Sequence, residues 1–265
     1  MTSKQLLKDM TWVEFLERLA DNPTILIPLG SQEEQGPHAP MGDYMLTDVL
    51  AAEVARRAQV VATPTLPFGY ADYFRPVPGG IALRPETFKA VLLDICENFL
   101  DHGLDHLVVF NGHSGNYPLI DQVIRKIKQE RGILVPCLNL WRLIPAEKWQ
   151  EFHPELGIKA FGHGGDPLTS VYLHQFPELM RMDLAQQEPD KGDLLGLPTS
   201  GLNAVSFRNV DINAAVDITD RCESGIAGGD PTRSSAEIGE RITEYLVDYT
   251  VAFLDHFDKV DTRVG

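Results

Sequence analysis

Short apolar segments alternate along the chain with longer segments in which apolar residues recur at helical spacing. The short segments are predicted strands at 24–30, 60–69, 105–116 and 133–141. The third of these segments continues into a glycine-rich loop. The longer segments are predicted helices: 11–20, 47–58, 84–103, 118–132, 166–176 and 234–257. This alternation predicts a largely parallel sheet covered by helices on both faces, which is a three-layer α/β/α fold.

Residues at the segment ends support these boundaries. Thr47 is a suitable N-cap, and the helix predicted at 84–103 opens with Pro85 and closes at Gly103. The stretch 183–230 is rich in Gly, Pro, Asn and Asp and is predicted to form loops with short strands. No repeat or low-complexity linker divides the sequence, so residues 1–265 are predicted to form a single domain.

In parallel α/β sheets, ligands bind in the crevice at the carboxyl ends of the strands. The loops that follow the first three predicted strands are 30–48, 67–80 and 111–116. These loops hold most of the unusual polar clusters of the chain, so we expect the functional site there.

Loop 30–48 is the densest of these clusters. It contains Glu33, Glu34, His38, Asp43 and Asp48, interspersed with glycines that allow the backbone to turn tightly. Carboxylate and imidazole groups are ligands for Zn²⁺ and Mn²⁺. A polar surface loop with helix-capping acids would have the same composition, so both interpretations stand.

Two further histidines lie beside small residues. His113 leaves the third strand, where it either approaches a ligand or forms structural hydrogen bonds. His163 and Asp166 lie on either side of two glycines, at the start of a predicted helix. The glycines allow a ligand to approach the backbone closely. Asp166 and Pro167 also suit a helix N-cap and first turn, and the two roles are compatible.

Composition excludes several classes of function. The net charge of −15 opposes binding to nucleic acid or to an anionic membrane. No apolar run reaches the roughly 18–20 residues that span a bilayer, and the N-terminus lacks the apolar stretch of a signal peptide. The three widely spaced cysteines indicate a reducing, cytoplasmic location. Most of the acids serve solubility, while a few are candidates to hold a cation.

Four motifs together resemble the creatininase family of metal-dependent hydrolases, along nearly the whole chain. They read PLGSQEEQGPHAPMGD at 28–43, VFNGHSGN at 109–116, GHGGD with a following TS at 162–170, and GGDPTRSSAEIG at 228–239. The resemblance implies a three-layer α/β fold, a homohexamer and a centre of one or two divalent ions, Zn²⁺ or Mn²⁺.

The resemblance also implies a ligand set. The first Glu ligand falls on Glu33 and the loop His ligand on His113. The Asp ligand falls on Tyr44 by strict count, and on Asp43 if one residue is skipped. A second His ligand of the family falls on Gln35, which is a poor metal ligand.

Other positions acquire roles from the same resemblance. His163 aligns with the histidine associated with catalysis and is the predicted general acid or base, with Glu34 as a rival. His38 and Asp166 are further candidate ligands or outer neighbours of the metal. The substrate loop departs from the family, because Ala71 and Phe74 replace a Ser and a His. The candidate substrate-binding residues are Tyr73, Arg75, Gly79, Gly80 and Ser114.

These observations lead to one preferred function and two alternatives. The preferred one is implied by the resemblance of GSQEEQGPHAPMGDYM at 30–45 to one branch of the family: hydrolytic ring opening, by C–C cleavage, of a small polar carbonyl compound such as 3-dehydro-scyllo-inosose in inositol catabolism. A metal ion suits this chemistry, because it polarises carbonyl groups and acidifies water. The alternatives are hydrolysis of a cyclic amide or formamide, and a non-catalytic sugar-binding or regulatory protein.

Overall fold

A four-stranded parallel sheet forms the centre of the molecule in the computed structural model, which describes residues 4–187 and 192–264. Its strands are β1 (Ile25–Leu29), β2 (Val61–Ala62), β3 (Leu107–Asn111) and β4 (Cys137–Asn139). The spatial order is β2-β1-β3-β4, and Ile27 of β1 pairs with Val109 of β3. The first and third strands are buried along their whole length, as expected for a sheet covered on both faces.

Helices cover both faces of the sheet. They are α1 (Trp12–Leu19), α2 (Tyr44–Ala58), α3 (Pro85–Leu100), α4 (Tyr117–Arg131), α5 (Ala146–Phe152), α6 (Leu168–Gln175), α7 (Ile218–Arg221) and α8 (Ala236–Phe257). Because side chains alternate along a strand, Leu26 packs in a core with α2, α5, α6 and α8. Its neighbours Ile25 and Ile27 pack in a second core with α3 and α4. The predicted three-layer α/β fold is therefore confirmed.

Local sequence explains where several helices begin and end. Thr11 and Glu14 form a capping box at the start of α1. Pro85 occupies the first turn of α3, where its missing N–H costs no hydrogen bond. Gly132 ends α4 in the left-handed conformation, with a φ of 66°.

Some boundaries differ from the prediction. Helix α2 begins at Tyr44, so Thr47 is not its cap; the Thr47 hydroxyl instead donates to the Asp43 carbonyl inside the first turn. The segment predicted as the second strand forms a regular strand at Val61–Ala62 and pairs with β1 again at an isolated bridge between Leu66 and Leu29, because prolines at 64 and 67 lack the N–H that a continuous ladder needs. Helix α5 was not among the predicted helices.

The part of 183–230 that the structure describes has two small antiparallel hairpins and the short helix α7, which agrees with the predicted loops and short strands. The hairpins are β5 (Asp193–Leu194) with β6 (Leu197–Pro198), and β7 (Ala204–Phe207) with β8 (Val210–Asn213). Across residues 4–187 and 192–264, no helix is both long enough and apolar enough to cross a membrane.

Candidate metal centre

Adjacent strands bring three predicted ligands together. Glu33 follows β1 and His113 follows β3, and the carboxyl ends of these paired strands lie side by side. His113 Nδ1 lies 3.0 Å from Glu33 Oε1 and 3.0 Å from Asp43 Oδ2. One ligand atom from each residue lies within 4.8 Å of the others, and all three residues are buried. The site therefore lies at the edge of the sheet where the sequence predicted it.

A glycine turn returns Asp43 to the strand end. Gly42 has a φ of 89°, and a Cβ there would lie 2.4 Å from the Ser31 carbonyl oxygen. The Ser31 N–H donates to Asp43 Oδ1 at 2.7 Å and fixes the carboxylate. Asp43 is thus the residue beside His113, and Tyr44 begins helix α2 instead. This geometry favours the alignment with the family motif in which one residue is skipped, so that the Asp ligand falls on Asp43 and not on Tyr44.

Burial and like charge shape the protonation of the three residues. Burial and the neighbouring Glu33 charge raise the pKa of Asp43 to about 6, although His113 opposes the shift. Burial lowers the pKa of His113, but the Glu33 and Asp43 charges outweigh it, so the pKa lies well above its usual value. In the metal-free site an imidazolium therefore balances part of the negative charge, in the place where a cation would act.

The opposite side of the His113 ring is also held. Its Nε2 lies 3.0 Å from the Tyr70 carbonyl oxygen and 3.3 Å from the Tyr73 hydroxyl. The contact of Nε2 with the Tyr70 carbonyl turns Nδ1 toward the carboxylates, so the loss of the Nδ1 proton would expose its lone pair to a cation bound there, in the orientation of a metal-binding histidine. Burial raises the pKa of Tyr73 to about 12, so this hydroxyl stays neutral.

The residues present fit a divalent ion. Two carboxylates and an imidazole are the donor set that suits Zn²⁺ or Mn²⁺. Glu33 Oε2 is buried without a hydrogen-bond partner, although an unpaired carboxylate oxygen is costly in a protein interior. A cation between Glu33, Asp43 and His113 would satisfy this charge.

A carboxylate–imidazole pair accompanies the metal-binding residues. His163 Nε2 lies 2.8 Å from Glu34 Oε1, and the Gly36 N–H donates to Glu34 Oε2 at 2.7 Å. Phe74 stacks on the His163 ring, with centroids 4.2 Å apart. Burial lowers the pKa of His163, but the charge and hydrogen bond of Glu34 outweigh it and raise the pKa overall. Glu34 therefore favours the protonated form of His163 and lies against it as a counter-charge.

Asp166 is engaged elsewhere, so its contacts do not support the interpretation as a metal ligand. Its Oδ1 accepts from the Ser170 N–H at 2.9 Å and the Ser234 hydroxyl at 2.6 Å. Its Oδ2 accepts from His153 Nε2 at 2.6 Å and the Ser170 hydroxyl at 2.7 Å. Pro167, not Asp166, occupies the N-cap position of α6, so the predicted cap is displaced by one residue, although the Ser170 N–H in the first turn still donates to Asp166 Oδ1.

His38 also lies outside the group of three ligands found among the described residues. Its Nε2 lies 3.1 Å from the Thr169 hydroxyl, which itself donates to the Gly164 carbonyl. His38 is therefore the donor in this contact. Burial lowers the pKa of His38, which keeps the ring neutral.

The predicted substrate-binding residues differ in their distance from the metal-binding group and in their exposure. Tyr73 lies beside His113, whereas Arg75 is exposed and ion-paired with Asp72 at 2.7 Å. Gly79, Gly80 and Ser114 are exposed. Their contact with substrate stays a prediction.

Two residues of the site escaped the sequence analysis. His153 was not among the predicted site residues, yet it is buried and bonded to Asp166. Phe74 was noted only as a departure from the family, yet it packs on His163. Both contacts join residues distant in sequence, and the only available signal was the spacing of the Trp149 and His153 rings along one helical face.

The fold and the site define an α/β protein with a divalent-metal centre at the carboxyl edge of its sheet. The family model described as creatinine amidohydrolase matches residues 8–254, and the chain belongs to this creatininase family. It is a metal-dependent hydrolase, as predicted, and the prediction of a divalent-metal cofactor is confirmed. That residues 1–265 form one domain stays a prediction.

Two curated relatives carry different names. A 3-dehydro-scyllo-inosose hydrolase of Thermotoga maritima is 27% identical over 255 residues, covering 91% of this chain and 79% of the relative. A mycofactocin precursor peptide peptidase of Mycobacterium ulcerans is 27% identical over 249 residues, covering 87% and 84%. These relatives support the family and leave the substrate of this chain open.

A solved creatinine amidohydrolase superposes with a TM-score of 0.80 at 25% identity, covering 98% of this chain and 100% of that structure. A manganese creatininase superposes with a TM-score of 0.78 at 26% identity, covering 96% and 99%. A Zn-Zn creatininase has a TM-score of 0.77 at 26% identity, covering 97% and 99%. The fold is shared along its whole length.

Proposed function

We propose that this hydrolase opens the ring of a cyclic, hydroxylated diketone such as 3-dehydro-scyllo-inosose by C–C cleavage. The Glu34–His163 pair beside the Glu33–Asp43–His113 centre carries this proposal, because the reaction needs electrophilic activation and a proton donor together. The similarity to the Thermotoga maritima hydrolase supports the choice of substrate.

The reaction divides into bond changes that this site suits. The oxygen of water bonds to one carbonyl carbon, and the bond from that carbon to the carbon between the two carbonyls breaks. The electron pair stays on the released carbon as an enolate, which takes up a proton, while the attacked carbon becomes a carboxylic acid. A divalent ion, when bound, supplies carbonyl polarisation and acidification of water.

His163 provides the proton that the enolate carbon requires. Glu34 raises the pKa of His163, which favours the protonated ring, and it holds the ring by its Nε2 atom. Phe74 restricts the ring to one orientation and shields one of its faces from water. Glu34 balances the charge of the imidazolium, and His163 regains its proton from the one that the attacking water and the new carboxylic acid release.

The test is turnover of 3-dehydro-scyllo-inosose by the Zn²⁺- or Mn²⁺-loaded protein, followed by product analysis. We expect a ring-opened carboxylic acid, and in heavy water one deuterium on the carbon released from the broken bond. Absence of turnover with both metals, alongside turnover of creatinine or a formamidopyrimidine, would contradict the proposal and favour the amide alternative.

Amide hydrolysis is the second candidate function. The peptidase from Mycobacterium ulcerans has the same identity to this chain as the inositol-derivative hydrolase. The same metal centre and His163 suit an amide, with the proton going to the leaving nitrogen. Cleavage of short peptides with unblocked termini would distinguish a peptidase from a cyclic-amide hydrolase.

The homohexamer expected from the family resemblance is also a proposal for this chain. Apolar side chains on the β7–β8 hairpin support an interface, since Phe207 is 48%, Val210 60% and Ile212 49% exposed. Light scattering coupled to size exclusion measures the mass directly. A monomer of 29.5 kDa at micromolar concentration would contradict it.

A further inference from the structure

Gln35 occupies the position where the family resemblance places a second histidine ligand. It lies two residues after Glu33 and is 2% exposed. Its Nε2 donates to Glu33 Oε1 at 3.0 Å. The opposite orientation of the amide would place its carbonyl oxygen against the carboxylate, so electrostatics fixes the donor face toward Glu33.

This orientation gives Gln35 a different role from a histidine ligand. The N–H group carries partial positive charge and repels a cation placed between it and the carboxylate oxygen. The same hydrogen bond leaves a second lone pair of Glu33 Oε1 free to face His113 Nδ1, which lies 3.0 Å away. Gln35 thus supports one ion position and obstructs another.

The neighbouring acids and histidines do not complete a second centre. Among the residues that the structure describes, Glu33, Asp43 and His113 form the one group of three such side chains close enough to share an ion. Glu34 is committed to His163 and the Gly36 N–H, and Asp166 accepts four hydrogen bonds. His38 donates to Thr169.

Gly115, in the loop after β3, offers no side-chain ligand. A Cβ on Gly115 would lie 2.0 Å from the Tyr73 hydroxyl and 2.6 Å from His113 Nε2, so a side chain does not fit there without displacing them. The buried side-chain atoms of loop 30–48 without a partner are Ser31 Oγ, Glu33 Oε2, Gln35 Oε1 and His38 Nδ1. A second ion would therefore draw on one carboxylate oxygen and otherwise neutral groups, and His38 lies outside the group of three ligands found among the described residues.

We propose that the centre binds one divalent ion per chain, held by Glu33, Asp43 and His113, and that Gln35 positions Glu33 instead of binding a second ion. A solved relative is a mutant creatininase of Zn-Zn type, and a single ion per chain would distinguish this protein from it. The inference rests on the donor set alone and holds for C–C and C–N hydrolysis equally.

The first test is metal stoichiometry. Protein stripped by a chelator is reloaded with excess Zn²⁺, passed through a desalting column and measured by mass spectrometry against amino-acid analysis. We expect one zinc per chain, and isothermal titration with Mn²⁺ should give a single site. Two tightly held ions per chain would overturn the proposal, whatever substrate the enzyme is found to cleave.

The second test isolates Gln35. Gln35→Met keeps the length of the side chain and removes the hydrogen bond to Glu33, so we expect zinc affinity to fall about 10-fold or more, as losses around a ligand do. Stoichiometry should stay at one. Competition with a chromogenic chelator measures the affinity, and Gln129→Met, at an exposed position on α4, is the matched control.

Each result of the variant bears on the proposal. A fall in zinc affinity with unchanged thermal unfolding of the metal-free protein supports a positioning role. Unchanged affinity would overturn that role, and a drop from two ions to one would show that Gln35 is itself a ligand. If the variant does not fold, the wild-type stoichiometry still decides the number of ions.

Discussion

Two carboxylate–imidazole pairs share one short loop, which contributes His163 to the first pair and Asp166 to the second. The two pairs differ in how many further hydrogen bonds their carboxylates accept. His163 pairs with Glu34 at 2.8 Å, and Asp166 pairs with His153 at 2.6 Å. The His163 side chain is 16% exposed, whereas that of His153 is 5% exposed. Distance and residue type alone do not distinguish the pairs.

The remaining hydrogen bonds do distinguish them. Glu34 accepts one further bond, from the Gly36 N–H, while Asp166 accepts three more from Ser170 and Ser234. A carboxylate with four donors holds its position and charge, and it ties the loop to α6 and to the segment before α8. A pair with fewer bonds and partial exposure retains the capacity to exchange a proton. The number of hydrogen bonds to each carboxylate therefore distinguishes Asp166, as a structural group, from Glu34, whose pair with His163 is the one proposed to act in catalysis.

The largest effect expected from this comparison is on turnover. His163→Ala should lower kcat by about 10²- to 10⁴-fold, because it removes the predicted proton donor. Steady-state kinetics with the substrate of the enzyme measures the change, and zinc content should remain that of the wild type. A decrease below 10-fold would place proton transfer on another group.

At the Asp166–His153 pair we expect a loss of stability as the main effect. Asp166→Ala should destabilise the fold by about 3–5 kcal/mol, because it leaves buried donors, including His153, without their acceptor. Urea unfolding of metal-free protein measures the loss, with Asp183→Ala, on an exposed residue, as control. Equal stability of Asp166→Ala and wild type would show that the saturated network has no structural role.

Metal affinity tests the assignment of the carboxylates. Asp43→Asn should weaken zinc binding by about 10-fold or more, since the ligand loses its charge. Asp166→Asn and Tyr44→Phe should leave the affinity within about 2-fold, because neither residue belongs to the group of three ligands. A weaker site in Tyr44→Phe together with a normal one in Asp43→Asn would favour the alignment without a skipped residue.

The smallest effect is a shift of pH dependence. His163 must be protonated to act as an acid, so activity falls as pH rises through its pKa. Burial lowers this pKa and the Glu34 charge raises it, with a net rise. Glu34→Gln should therefore move the alkaline limb of the kcat profile to lower pH. A shift to higher pH, or none, would show that Glu34 does not control the proton on His163.

Sequence predicted much of this molecule, for identifiable physical reasons. The apolar runs around Ile25–Leu29 and Leu107–Asn111 form buried parallel strands, and position after a strand end was enough to bring Glu33 and His113 together. The helix starting at Tyr44 was placed three residues late, because Thr47 has the chemistry of a cap without occupying that position.

Contacts between distant segments were beyond the sequence. Asp166 is of a residue type that binds metals, and only the structure shows that Ser234 and His153 form hydrogen bonds with its carboxylate oxygens. The orientation of the Gln35 amide likewise depends on Glu33 folding next to it. Such assignments depend on which buried groups are already satisfied, and a pattern along one chain does not encode that count.

Asp43 lies directly before α2 and is also part of the metal centre, so occupancy of the site is linked to folding. An ion that binds only the native chain stabilises it by mass action, by about 2.7 kcal/mol when free metal exceeds Kd 100-fold. The melting temperature is therefore a function of free zinc. The thermal stability of the protein thus depends on the metal available to it, and a chelator carried over from purification would lower the measured melting temperature.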